Sequence, residues 1–383
     1  MRPLKILQLA DHSEIISGGA VQMVLLARGL HDLGHDVTCV FDSAPSPLEH
    51  TLEQVTRAGV RLVRVPMGKK EVSEPLRALV AGGGFDVVHT HRASYKVLLR
   101  SCGEGELPPV VVNRGQSRPL RPRELHKMLH PAVRAHVVVA SHIRDVLVAA
   151  GVPAERIAVV YGSYDPERFR PGLDASAVRR ELLAGAPDDT RLVGIVAKLS
   201  HYKSHDVFLE AAARLLERRS AVRFAIVGPD PEGARAGLED LAASLAARHG
   251  VPLPERLTFT GPRQDVPEIL SALDVSVSAS ATPWEGLSGV MRESLAMARP
   301  VVCTDVGGNR ELVRDGETGR LIPPGDPLAL ADAIAELLDD PERARRLAAA
   351  GHRLAVEKFS NPARARTMES LYRRLLAGEP AAT

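Results

Sequence analysis

A chain of 383 residues is long for a single hydrophobic core and comfortable for two. An apolar fraction of 45%, a charged fraction of 25% and a net charge of +2 are ordinary globular values that argue against a general nucleic-acid binder, and 3% aromatic residues leave little for a carbohydrate surface built on stacked rings. The three cysteines, Cys39, Cys102 and Cys303, are widely spaced and form no C-x-x-C pair, which disfavours a disulfide framework or a structural zinc site and points to a reducing, cytoplasmic setting.

The chain opens with a strand-like run at 5–10, which leaves no room for a signal peptide. A helix is expected at 20–33, then strands at 36–41 and 60–65, a helix at 74–81, and strands at 85–89, 109–113, 135–140 and 156–161. These strands are nearly continuous in Val, Ile and Leu and do not alternate, as strands buried on both faces of a parallel sheet do. A polar stretch at 165–190, rich in Pro, Asp and Arg and with a short helix inside it, marks a boundary. The rhythm then restarts. Strands are expected at 191–199, 222–227, 256–260, 275–278, 300–304 and 319–322, and helices at 207–218, 236–247 and 329–338, before a helical tail at 362–376. No apolar run approaches the roughly 20 residues of a membrane helix. The predicted organisation is α/β, with two Rossmann-like, doubly wound parallel-sheet domains at 1–168 and 169–360, and a C-terminal helix in 361–383 packing back on the first. Two such domains facing each other form a cleft at the carboxyl ends of their strands, where open α/β sheets bind ligands.

Chemistry-bearing residues are therefore sought just after strands. The run TPWEGLSGVMRE at 282–293 follows one strand and enters a helix. Gly286, Leu287, Ser288 and Gly289 offer backbone N–H groups at a helix N-terminus, which attracts phosphate. Glu285 in the loop and Glu293 about two turns later are placed to accept hydrogen bonds from sugar and ribose hydroxyls. Lys198 and Lys203 flank the turn after the first strand of the second domain, where two cations stabilise a leaving diphosphate. Gly18 and Gly19, after the first strand of the chain, permit close backbone approach. They do not form G-x-G-x-x-G, and Asp42 is a weak ribose-binding acid, so an NAD enzyme is disfavoured. Gly307 and Gly308 follow another strand, and Glu311 beyond them is read as a structural support for the Glu285 loop. Arg114, Arg118, Arg121, Arg123 and Lys127 face a single acid, Glu124, in a loop suited to an anionic acceptor or an acidic membrane face; a merely solvated basic loop is the equal alternative. His89 and His91 end a strand, and His91 is a candidate acid/base.

Taken together, Glu285-x7-Glu293, Lys198 with Lys203, Gly18-Gly19 and Gly307-Gly308 with Glu311 resemble glycosyltransferase family 4, a retaining family of the GT-B fold, over residues 4–375. The resemblance implies a nucleotide-sugar donor (a UDP-sugar or GDP-mannose) in the second domain. Glu293 would hold the ribose, Glu285 the donor sugar, Gly286 to Ser288 and Lys203 the diphosphate, with Gly19 near the β-phosphate and the 261–266 loop beside the base. The first domain would bind the acceptor, a glycan, lipid-linked or small molecule, with Arg114 and Arg118 as contacts. The chain departs from the family where Lys198 replaces the usual Arg, where Ser204 and Ser288 replace Gly, where 161–165 reads YGSYD, and where Arg114 stands in place of a common His, which leaves His91 as the remaining imidazole.

By the same resemblance the sugar is transferred with retention, Lys198, Lys203 and the helix end stabilise the leaving diphosphate, and that phosphate takes the acceptor proton. No D-x-D motif is present, so neither metal nor other cofactor is expected. Nucleic acid is not an expected partner; peripheral contact with the inner membrane face is. Rival readings are a nucleotide-sugar epimerase or phosphorylase on the same fold, and a non-catalytic nucleotide-sugar-binding protein.

Overall fold

The Val-, Ile- and Leu-rich runs form two all-parallel sheets in a computed structural model that describes residues 2–15, 17–68, 71–103, 107–187, 189–282 and 285–382. The chain divides into two units, one of Met1–Ser163 with Phe359–Thr383 and one of Tyr164–Lys358.

The first unit contains β1 (Lys5–Ala10), β2 (Asp36–Asp42), β3 (Arg61–Val65), β4 (Val87–His91), β5 (Val110–Arg114), β6 (Val133–Val138) and β7 (Ile157–Val159), in the spatial order β3-β2-β1-β4-β5-β6-β7. Every residue of β4 and five of the six in β1 are buried, which explains the absence of alternation in the sequence. β4 begins two residues later than its hydrophobicity suggests. Asp86 is occupied in anchoring that edge, its carboxylate accepting from the Lys5 N–H at 2.8 Å and from Arg2. Ser17 caps the helix Gly18–Asp32 through the Ala20 N–H. The helix Asn361–Leu376 belongs to the same core, with Met368, Leu371 and Tyr372 buried among Ile6, Met23 and Leu26. Gly29 permits this packing, since a Cβ there would lie 2.9 Å from Ala365.

The second unit contains β8 (Arg191–Val196), β9 (Val222–Val227), β10 (Leu257–Gly261), β11 (Val275–Ser278), β12 (Val301–Thr304) and β13 (Arg320–Ile322), in the order β10-β9-β8-β11-β12-β13. Its core joins Val193, Ile195, Phe224 and Val277 of the sheet to Phe208 of the helix His205–Leu216 and Leu330 of the helix Pro327–Asp339. β8 stops short of the 191–199 run because the chain turns at Ala197. There Gly228 lies so close that a Cβ would sit 2.0 Å from the Ala197 carbonyl oxygen. In each unit the strand order reverses direction once, between β1 and β4 and between β8 and β11. Helices on either side diverge at such a switch point and leave a crevice at the carboxyl edge.

Candidate active site

The switch point of the second unit holds a cavity of about 130 Å³. Ile195 to Ala197 at the end of β8 and Val277 with Ser278 at the end of β11 form two walls, and Lys203, Ser280, Ser288 and Gly289 complete it. Sheet topology thus brings together loops that are some 80 residues apart in sequence (Lys203 to Glu285 is 82). Lys203 Nζ donates to Glu285 Oε2 at 2.8 Å, with both side chains largely buried (23% and 15% exposed). Lys198 is exposed on the same loop. Ser204, after Lys203, adopts a left-handed backbone with φ 49°, and this strain explains why glycine suits that position.

Gly286 and Ser288 are buried, Leu287 half-buried, and Ser288 starts the helix Gly289–Ala296 in an extended conformation. Its side chain makes no capping bond, so the first-turn N–H groups and the positive helix end are left to the cavity. Pro283 and Trp284 of the same loop lie outside the described residues. The loop is held from behind. Gly308 N–H donates to the Gly286 carbonyl at 2.9 Å, and Gly307, at φ 52°, lies against Glu285 so closely that a Cβ would be 1.9 Å from its carbonyl oxygen. This glycine pair supports the Glu285 loop. Ser280 adds a buried hydroxyl with no partner among the described residues.

Glu293 lies on the same helix and keeps part of its surface open. Burial pushes its carboxyl up to about 7, against the opposing pull of Arg292 and Arg168. Arg292 is itself 4% exposed, and burial pushes its guanidinium down to about 10.

In the first unit, Gly18 and Gly19 stand exposed at a helix start, with no atom within 4 Å of a Cβ placed on Gly18. Arg114 is half-buried and donates to the Arg118 carbonyl, while the Arg118 side chain is exposed. His91 does not present itself to a ligand. It is 2% exposed, its Nε2 is 2.6 Å from Gln8 Oε1, and burial lowers its pKa well below the ordinary histidine value. The expectation that His91 acts as an acid/base is therefore corrected, because a strand end buried on both faces points this ring into the core. It stacks on His89, whose Nδ1 meets the Tyr372 hydroxyl at 2.7 Å. Sequence reasoning also passed over Arg292, which the structure buries beside Met291 on the helix Gly289–Ala296.

Two family models match the chain, "Glycosyl transferases group 1" over residues 190–340 and "Glycosyltransferase Family 4" over residues 16–168. The chain is similar to the D-inositol 3-phosphate glycosyltransferase of Thermobispora bispora, 32% identical over 294 residues that cover 76% of this chain and 65% of that protein. It is similar also to the alpha-D-kanosaminyltransferase of Streptomyces kanamyceticus, 34% identical over 230 residues, 59% of this chain and 56% of that one. The chain thus spans less than two thirds of the length of these curated relatives. Among solved structures, a glycosyltransferase from Rickettsia africae superposes with a TM-score of 0.81 at 18% identity, covering 98% of this chain and 99% of that one. The HepE protein of Anabaena in complex with UDP and glucose gives 0.76 at 20% identity, covering 96% and 98%. These likenesses identify the fold as GT-B. With one family model on each half and curated glycosyltransferases among its relatives, the chain belongs to glycosyltransferase family 4.

Proposed function

We propose that the protein is a glycosyltransferase that moves a sugar, with retention, from a nucleotide-sugar donor bound at the second unit's switch point to an acceptor hydroxyl. One observation carries the reading: the Lys203–Glu285 pair and the open N-terminus of the helix Gly289–Ala296 border one cavity, with Glu293 two turns from Glu285. The first-turn N–H groups and Lys203 receive the diphosphate, Glu285 takes hydrogen bonds from the sugar, and Glu293 takes them from the ribose. The bond between the anomeric carbon and the β-phosphate oxygen breaks as the acceptor oxygen bonds to that carbon on the same face, and the acceptor proton passes to the departing phosphate. Lys203, Lys198 and the helix end carry the positive charge this step needs, and no divalent cation is assigned a role.

The donor is proposed to be a UDP-sugar or GDP-mannose; HepE, which shares the fold, was solved with UDP and glucose. The first unit is proposed to hold a glycan, lipid-linked or small-molecule acceptor through Arg114 and Arg118. No helix among the described residues is long and apolar enough to cross a membrane. Contact with an acidic membrane face is proposed through the exposed Arg118, Arg121 and Arg123.

The test is a thermal-shift screen of UDP, GDP and their sugars, followed by a transfer assay with the preferred donor, with and without chelator. A stabilising nucleotide sugar whose nucleoside diphosphate is released only with acceptor supports the reading. No shift with any of them, or a sugar epimer formed without acceptor, overturns it. Loss of transfer on chelation, restored by metal, overturns its metal-independent part.

A further inference from the structure

The helix Gly289–Ala296 carries a charge that the mechanism above leaves unused. Arg292 is 4% exposed, and no hydrogen bond or ion pair joins its guanidinium to any described residue. Its Nε is fully enclosed without an acceptor. The neighbouring acid, Glu293, acts on it electrostatically but makes no ion pair with it. Helical side chains lean toward the N-terminus, and this one does: Nη2 lies 3.7 Å from the point a Gly289 Cβ would occupy. Gly289 is a wall of the cavity and has no side chain to stand between the guanidinium and the helix end. A buried, unpaired guanidinium is costly to the fold, and it sits at the helix end that already favours anions.

We propose that Arg292 is a cation of the diphosphate site, held behind Gly289 without a protein counter-ion because the diphosphate of the donor is its counter-ion. This rests on the nucleotide-sugar reading of the same cavity and adds to it a residue that neither the sequence motif nor the ion pair identified. The arginine complements Lys203, which is already engaged by Glu285, and supplies a second positive group inside the protein, whereas Lys198 is exposed.

The experiment compares the full chain with Arg292→Met, a volume-matched apolar replacement, by calorimetric titration with inorganic pyrophosphate, UDP, GDP and the nucleosides uridine and guanosine, together with thermal unfolding. The expected result, read at about pH 9 where the Glu293 carboxylate is ionised in both proteins, is a loss of roughly tenfold or more in pyrophosphate and nucleoside-diphosphate affinity, the scale of one charge-assisted contact, with nucleoside affinity unchanged. The melting temperature should be equal or higher, because an unpaired buried charge has been removed. A merely structural arginine gives the opposite pattern, a lowered melting temperature with diphosphate affinity within twofold of the parent, and that result overturns the proposal. Should Arg292→Met fail to fold, Arg292→Gln is read by the same titrations. Pyrophosphate bound by the parent tenfold better than by the variant, with neither UDP nor GDP taken up, would remove the nucleotide-sugar reading and leave the role of Arg292. UDP or GDP bound equally by both would do the reverse.

Discussion

Replacing Glu293 by glutamine should make the protein more stable at pH 8 and leave it unchanged at pH 4.5. In the folded chain burial raises this carboxyl from 4.5 to about 7. Below pH 4.5 it is neutral in both folded and unfolded states and contributes no difference. Between 4.5 and 7 the unfolded chain releases its proton while the folded one retains it, so stability falls as pH rises, and above 7 the deficit stays constant. The full interval corresponds to about 3 kcal/mol, and because part of the side chain remains open the expected deficit is about 2–3 kcal/mol. Glu293→Gln keeps the shape and has no charge to bury, so it escapes that deficit. Urea and thermal unfolding of both proteins from pH 4.5 to 8 should show the gap open across this window, reaching roughly 4–10 °C in melting temperature. The same variant should lose donor affinity, and that of the parent should rise with pH through 7, because ribose hydroxyls donate best to a carboxylate. A stability gap that is flat with pH, or a glutamine variant less stable at pH 8, would refute the argument.

Lys203→Met should lower transfer by about 10²-fold by removing a cation from the leaving diphosphate and cost about 1 kcal/mol of stability through the broken ion pair with Glu285; initial rates and urea titrations read the two separately. Gly307→Ala should cost about 2–4 kcal/mol, because its Cβ meets the Glu285 carbonyl at 1.9 Å and φ is 52°. It should also raise the donor KM by displacing the loop, which steady-state kinetics and thermal melts check together. Ser204→Gly should stabilise by about 0.5–1 kcal/mol by relieving the left-handed φ of 49°; a lower melting temperature would show that the serine makes a compensating contact.

Most strands were legible because burial on both faces writes near-continuous apolar runs into them, as in Arg191–Val196 and Val301–Thr304. Their ends were less so. β8 gives way at Ala197 to a turn packed against Gly228, a neighbour remote in sequence that no local pattern reports. Of the residues that the sequence suggests for a donor, Lys203, Ser288 and Gly289 border the cavity at the β8–β11 switch point and Glu285 pairs with Lys203, because residues just after strands need only the topology to bring them together. His91 misled because a strand end looks the same in sequence whether its last side chain faces a crevice or the core. In this sheet Gln8 on β1 and Tyr372 on the C-terminal helix close over the two histidines, and neither lies within 80 residues of them.

The helix Gly289–Ala296 places two adjacent charges, Arg292 and Glu293, where burial opposes both, pushing one pKa down to about 10 and the other up to about 7. They make no ion pair, and their mutual attraction offsets only part of the cost of burying each. A helix selected for stability alone would carry apolar residues at such positions. Two substitutions in this one turn, each expected to stabilise the ligand-free chain and to weaken a different part of the same ligand, fit a site whose charges are completed from outside: the arginine by phosphate, the glutamate by ribose hydroxyls. Because the two side chains act on each other, Arg292→Met should raise the Glu293 carboxyl further and move the pH window of the stability gap upward. That shift separates a coupled ligand-binding turn from two unrelated buried charges, which would leave the window where it was.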